Sequence, residues 1–152
     1  MPVPTERAPV AAGGAPEGDP YVVPSLTVEL TLLELGWRVL NLGPETPMAA
    51  LAVAVRQHRP RLVWISITTQ HTPPAFIEGF PQMVDAAGAE RAGVIVGGQG
   101  LTVELQHRLV PAAFGTRLAH LKEFARALVS SSTGPERMPR PTNPRKHPLE
   151  RA

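Results

Sequence analysis

Cysteine is absent from these 152 residues, which excludes a disulfide framework, a thiolate metal site and a cysteine nucleophile. Aromatic residues are scarce, at 5%, so a core has to be built from Leu, Val, Ile and Ala. No apolar run approaches the roughly 20 residues of a membrane span, and the N-terminus lacks the basic-then-apolar plan of a secretory signal. A cytoplasmic protein without membrane association is expected. With 43% hydrophobic and 18% charged residues, the chain suits one globular domain.

The body of the chain also lacks positive charge, although the sequence pI is about 9.7. Residues 135–152 carry Arg137, Arg140, Arg145, Lys146 and Arg151 against Glu136 and Glu150, a net of +3, which leaves −1 for residues 1–134. That segment also holds Pro135, Pro139, Pro141, Pro144 and Pro148, a density incompatible with a helix or a paired strand. Residues 131–152 are therefore expected to be a disordered Pro/Arg-rich tail. Nucleic acid would be reached only indirectly or through that tail, because the rest has no electrostatic footprint for it.

What is present is organised around Arg61-Leu-Val-Trp-Ile-Ser-Ile-Thr-Thr69. Its unbroken apolar run suits a strand covered on both faces, which implies a parallel sheet with helices above and below. Ligands of such sheets bind outside the carboxyl ends of the strands, where Ser66, Thr68 and Thr69 fall. Around it, residues 6–14 read as a weak first strand, with Pro9 at its start. A helix follows, opened by Pro24, striped by Leu26, Leu30 and Leu33 and closed by Gly36. Residues 37–42 read as a second strand. Thr46 and Pro47 start a helix lined by Met48, Leu51, Ala52 and Val55. Phe76, Phe80, Met83, Val84 and Ala87 line a third helix, interrupted in pattern by Gly79 and Pro81. Residues 93–97 form a short buried strand, followed by a helix holding Leu101, Leu105 and Leu109. A last strand is expected at 110–114, and a last helix is capped by Thr116 and striped by Leu118, Leu121, Ala125 and Leu128. Five strand–helix alternations predict a flavodoxin-like, Rossmann-like doubly wound α/β fold, its five parallel strands in the order 2-1-3-4-5. The domain would occupy residues 6–130, after a short tail at 1–5.

The strand ends bring Asp19, Tyr21, Ser66, Thr68, His71, Gly97 and Gly98 to one edge. Ser66 and Thr68 are two apart, so both hydroxyls enter one cleft. Gly97 and Gly98 remove Cβ where a flat heterocycle would approach the backbone. A dinucleotide fingerprint fails at Gly97–Gly100, because no third glycine stands at Val103. No nucleophile elbow, phosphate loop or paired acid and base is found, and no two histidines share metal-site spacing on one face.

Three motifs, Gly36-Trp-Arg-Val-Leu-Asn-Leu-Gly-Pro-Glu-Thr-Pro47, Leu62-Val-Trp-Ile-Ser-Ile-Thr68 and Val94-Ile-Val-Gly-Gly98, resemble the cobalamin (vitamin B12)-binding domain family, closest to its MerR-type regulator and corrinoid-protein branch. The resemblance covers about residues 5–130. It implies a cofactor-binding set of Asp19, Tyr21, Ser66, Thr68, Gly97 and Gly98, with the hydroxyls and the double glycine lining the slot for the nucleotide tail of cobalamin.

The family's Asp-x-His-x-x-Gly motif, whose histidine ligates cobalt, is here Asp19-Pro-Tyr-Val-Val-Pro24. Tyr21 stands at the metal-ligand position, and a phenol is a poor ligand unless deprotonated, far below its free pKa of about 10. The resemblance implies a sensory or regulatory module, transcriptional regulator-like and not catalytic by itself, with a corrinoid as ligand and a protein partner or a second copy as further partner. A stand-alone module is expected, with no winged-helix domain before the first strand and no catalytic domain after the last helix. Two alternatives stay open: a degenerate fold without cofactor that serves protein–protein interaction, and a binder of another flat ligand such as haem, which tyrosine ligates in some proteins.

Overall fold

Leu62–Ser66 (β3) is the central strand of a five-stranded sheet in the computed structural model, which describes residues 1 and 3–131. Every residue of β3 is buried, as an unbroken apolar strand requires. Val10–Gly14 (β1) and Gly93–Gly97 (β4) flank it, while Arg38–Asn41 (β2) and Ala113–Gly115 (β5) form the edges. All pairings are parallel and the order is 2-1-3-4-5, the doubly wound arrangement expected from the alternation. Four helices link the strands, Val23–Glu34 (α1), Met48–His58 (α2), Pro74–Ala89 (α3) and Val103–Arg108 (α4), and Leu118–Ser130 (α5) follows β5.

Side chains of β3 alternate between two cores, as strand geometry dictates. Val63 and Ile65 join Leu51, Val55, Phe76, Phe80 and Met83 beneath α2 and α3. Leu62 and Trp64 join Leu32, Leu121 and Ala125 beneath α1 and α5. The small residues that make β1 a weak strand in sequence have a packing cause. Ala11 and Ala12 are fully buried, and a Cβ on Gly13 would collide with the Trp64 ring and carbonyl. β1 is thin because the bulk at that level comes from its neighbour. Gly79 has a similar cause, since a Cβ there would lie 2.9 Å from that of Met48, and its absence lets α3 close on α2.

Several local expectations change. The stripe Leu26, Leu30 and Leu33 does not face the core: Leu26 is 45% and Leu30 51% exposed, whereas Val28, Leu32 and Leu35 pack inward. α1 carries apolar residues on both sides, so helical spacing alone selected the outer row. Thr46 does not cap α2. The cap is Pro47, and the Thr46 hydroxyl donates to Gly43 O at 3.0 Å, because residue 46 is tied to Pro16 by a parallel bridge. Arg117 rather than Thr116 precedes α5, and Thr116 N–H donates to His120 Nδ1 at 3.1 Å.

The last strand begins three residues later than expected, at Ala113. The fourth helix is short, with Thr102 as its cap accepting from Leu105 N at 3.1 Å. Thr102→Ala is expected to cost about 1 kcal/mol, as lost N-caps do, measured as a shift of the urea unfolding midpoint. The expected tail at 131–152 lies outside the described residues from position 132 onward. Among the described residues no helix is long and apolar enough to cross a membrane.

Candidate functional site

Between α1 and α5, over the carboxyl ends of β3, β4 and β5, lies a cavity of about 490 Å³, within the roughly 300–1,000 Å³ of small-molecule sites. Its position is the one that open α/β sheets use for ligands. Val28, Trp64, Ile95 and Leu121 supply apolar wall, while Ser66, Thr68, Gln99 and Arg117 supply polar groups. Of the six candidate site residues, five line this cavity: Tyr21, Ser66, Thr68, Gly97 and Gly98.

Ser66 is 5% exposed. Among the described residues its hydroxyl has no hydrogen-bond partner, and neither has that of Thr68. Ser66 continues the face of Leu62 and Trp64, so strand geometry turns it toward α1 and α5. Thr68 lies just beyond the strand end and still shares that face. The indole N–H of Trp64, buried in the wall, also lacks a partner. Buried polar groups are rarely left unpaired; the Trp64 indole N–H is such a group, and the Ser66 and half-buried Thr68 hydroxyls beside it on the cavity wall are also without partners.

Asp19 is placed differently. It is fully buried and is not on the cavity wall. Its Oδ2 accepts from Thr68 N–H and from Thr69 N–H, the latter at 3.3 Å, and its Oδ1 accepts from Tyr21 N–H at 3.2 Å. The carboxylate therefore ties the loop after β1 to the loop after β3 and holds Tyr21 and Thr68 at the rim.

Tyr21 is 53% exposed at that rim. His71 lies in the loop before α3 and does not line the cavity, nor does any other histidine among the described residues. No group of three or more potential metal ligands occurs among the described residues either.

The double glycine has a cause in the chain itself. Gly98 has φ +114, and a Cβ there would strike the Ile67 carbonyl; on Gly97 it would lie 2.8 Å from Gly115 O. These glycines let the backbone after β4 close on its neighbours, so their absence of side chain serves the fold before it serves any ligand.

No family model matches the chain. It is 33% identical over 103 residues, 68% of its length, to the HTH-type transcriptional repressor CarA of Myxococcus xanthus, of which the match spans 35%. Its fold is similar to that of a cobalamin-binding protein from Desulfitobacterium hafniense DCB-2, with a TM-score of 0.66, 21% identity, and coverage of 80% of this chain and 60% of that one. The methanol:cobalamin methyltransferase complex MtaBC of Methanosarcina barkeri gives a TM-score of 0.66 at 17% identity, covering 80% of this chain and 46% of that one. The chain thus has the fold of these cobalamin-binding proteins and shares sequence with a transcriptional repressor. It spans 35% of the curated relative and 60% and 46% of the two solved chains.

The cavity can be tested against what a cobalamin-binding domain would need. Its polar groups and apolar walls fit a flat heterocycle bearing hydroxyls, the chemistry of the nucleotide tail: Ser66, Thr68 and Trp64 have hydrogen-bonding capacity left over, and Val28, Ile95 and Leu121 can flank a ring. The cobalt side does not fit histidine ligation, because a phenol stands at the motif position. Haem draws no support from the cavity or from the relatives named above.

Sequence reasoning missed Thr27 and Val28 on α1, Gln99 in the loop after β4, and Arg117 and Leu121 at α5. Val28 carried a signal, the inner apolar row of α1. Arg117 carried none, since a single basic residue after a strand reads as surface.

Proposed function

We propose that this cobalamin-binding-type domain is a regulatory or sensory ligand-binding module that takes the nucleotide tail of a corrinoid between α1 and α5 and performs no catalysis of its own. One observation carries the reading: Ser66 and Thr68, the hydroxyls of the family motif, converge on a cavity of about 490 Å³ at the ligand edge of the sheet. Likeness to CarA, a transcriptional repressor by name, supports the regulatory half. Cytoplasmic residence belongs with the same reading. When bound, a corrinoid would supply a coloured cobalt centre that reports occupancy. The residues of this chain would hold the tail by hydrogen bonds and apolar contact, without a histidine on the metal.

A second reading has its own support. Tyr21 in place of histidine, and exposed Val23, Leu26 and Leu30 on α1, favour a domain that has given up the cofactor and retains a protein-contacting role.

Fluorescence titration separates the two, because Trp64 lines the cavity and a corrinoid would quench it. In a Trp37→Phe background, cobalamin is expected to quench Trp64 saturably, and Ser66→Leu to weaken binding at least tenfold by filling the slot. Linear, unsaturable quenching that Ser66→Leu leaves unchanged would favour the interaction domain.

A further inference from the structure

We propose that Arg117 is an anion-anchoring residue, so that the cavity takes a heterocycle joined to a phosphate rather than a neutral ring. This rests on the corrinoid reading for the source of that chemistry: the nucleotide tail of a complete corrinoid carries a phosphodiester beside its ribose. Charge is the first support. Among the described residues, Arg117 is the one charged residue that lines the cavity, and no carboxylate lines it. Among the described residues the guanidinium has no hydrogen-bond or ion-pair partner.

Position adds to charge. Arg117 immediately precedes α5, a helix of 13 residues with no side-chain cap and no acidic residue in its first turn. The unpaired amides of a helix start favour an anion. A helix start beside an arginine would be an ordinary surface feature without the rest of the site. Here Ser66 lies deeper, 5% exposed, with an unpartnered hydroxyl in the same cavity. The cavity therefore has a neutral polar and apolar interior and a cationic mouth. That polarity matches a ligand with an uncharged heterocycle and sugar inside and a phosphate outside. Guanidinium suits the role through its planar, multi-donor pairing with phosphate oxygens.

The test uses the whole chain, with wild type, Arg117→Gln and Arg117→Lys, and four probes. α-Ribazole and α-ribazole phosphate are followed by NMR chemical shifts; cobinamide, which lacks the nucleotide, and cobalamin are followed by absorbance. Wild type is expected to bind α-ribazole phosphate about tenfold more tightly than α-ribazole, the scale of one charge-assisted hydrogen bond. Arg117→Gln should equalise the two, Arg117→Lys should keep part of the preference, and added salt should weaken only the variants that retain a cation. Cobalamin should likewise exceed cobinamide in wild type by a margin that Arg117→Gln reduces.

Equal binding of the two ribazoles by wild type, or a phosphate preference intact in Arg117→Gln, overturns the proposal. Cobalamin binding that Arg117→Gln leaves unchanged overturns it while the corrinoid reading survives. A phosphate preference that depends on Arg117, with neither corrinoid bound, upholds it for a free heterocyclic phosphate and sinks the corrinoid reading. Binding of none of the four overturns both.

Discussion

Gly98→Ala is expected to lower the unfolding free energy by about 4 kcal/mol, from steric overpacking together with strain in a left-handed conformation. The cause is local and specific. Gly98 has φ +114, and a Cβ there would meet the backbone of Ile67, which cannot swing aside as a flexible side chain would. Ile67 is itself pinned, its N–H donating to Gly97 O at 2.8 Å and its carbonyl accepting from Gly100 N at 2.9 Å. Urea unfolding of the ligand-free protein measures the effect. An unchanged midpoint, with loss confined to ligand affinity, would mean that the glycine serves only the approach of a ligand and that close packing against Ile67 is not what requires it.

Asp19→Ala is expected to cost about 3 kcal/mol, because it strands the amides of Tyr21, Thr68 and Thr69 that the buried carboxylate accepts, and hydrogen bonds to a charged group are worth about 1.5–3 kcal/mol each. Relaxation and water entry recover part of that sum. Asp19→Asn, which keeps one acceptor oxygen, should lose about half as much, since one amide set can still be satisfied. Chemical unfolding compares the three proteins, and hydrogen exchange at residues 67–69 gives the local readout: faster exchange there is expected in Asp19→Ala before the rest of the sheet responds. Uniform exchange across the domain, or a loss under about 0.5 kcal/mol, the scale of an ordinary surface change, would show that Asp19 is not the tie between the loops.

The strand order was legible because the residues that decide it are unambiguous. The apolar run at 62–65 can only be a strand buried on both faces, and alternation with helices then restricts the topology to a few right-handed arrangements. β1 was legible only as a weak strand, since Ala11, Ala12 and Gly13 give no propensity signal; their smallness answers to Trp64 across the strand, a contact no local pattern contains. The outer and inner rows of α1 could not be told apart, because Leu26 and Leu30 repeat as well as Val28 and Leu32 do, and exposure depends on which side meets the sheet.

The site divided along the same line. Ser66 and Thr68 were readable from their two-residue spacing, and Tyr21, Gly97 and Gly98 from the family motifs. The part played by Asp19 was not, since an aspartate in a loop has no visible partners until the loop after β3 folds over it. Thr27 and Arg117 reach the cavity only because α1 and α5 pack side by side on one face.

Whether this cavity receives a corrinoid is decided by an absorbance titration with hydroxocobalamin of wild type and Tyr21→His. Wild type is expected to perturb the corrinoid spectrum saturably without the signature of imidazole on cobalt, and Tyr21→His to bind with a further shift that marks nitrogen ligation beneath the metal. No saturable change with either protein, at concentrations where both are folded, would contradict corrinoid binding between α1 and α5.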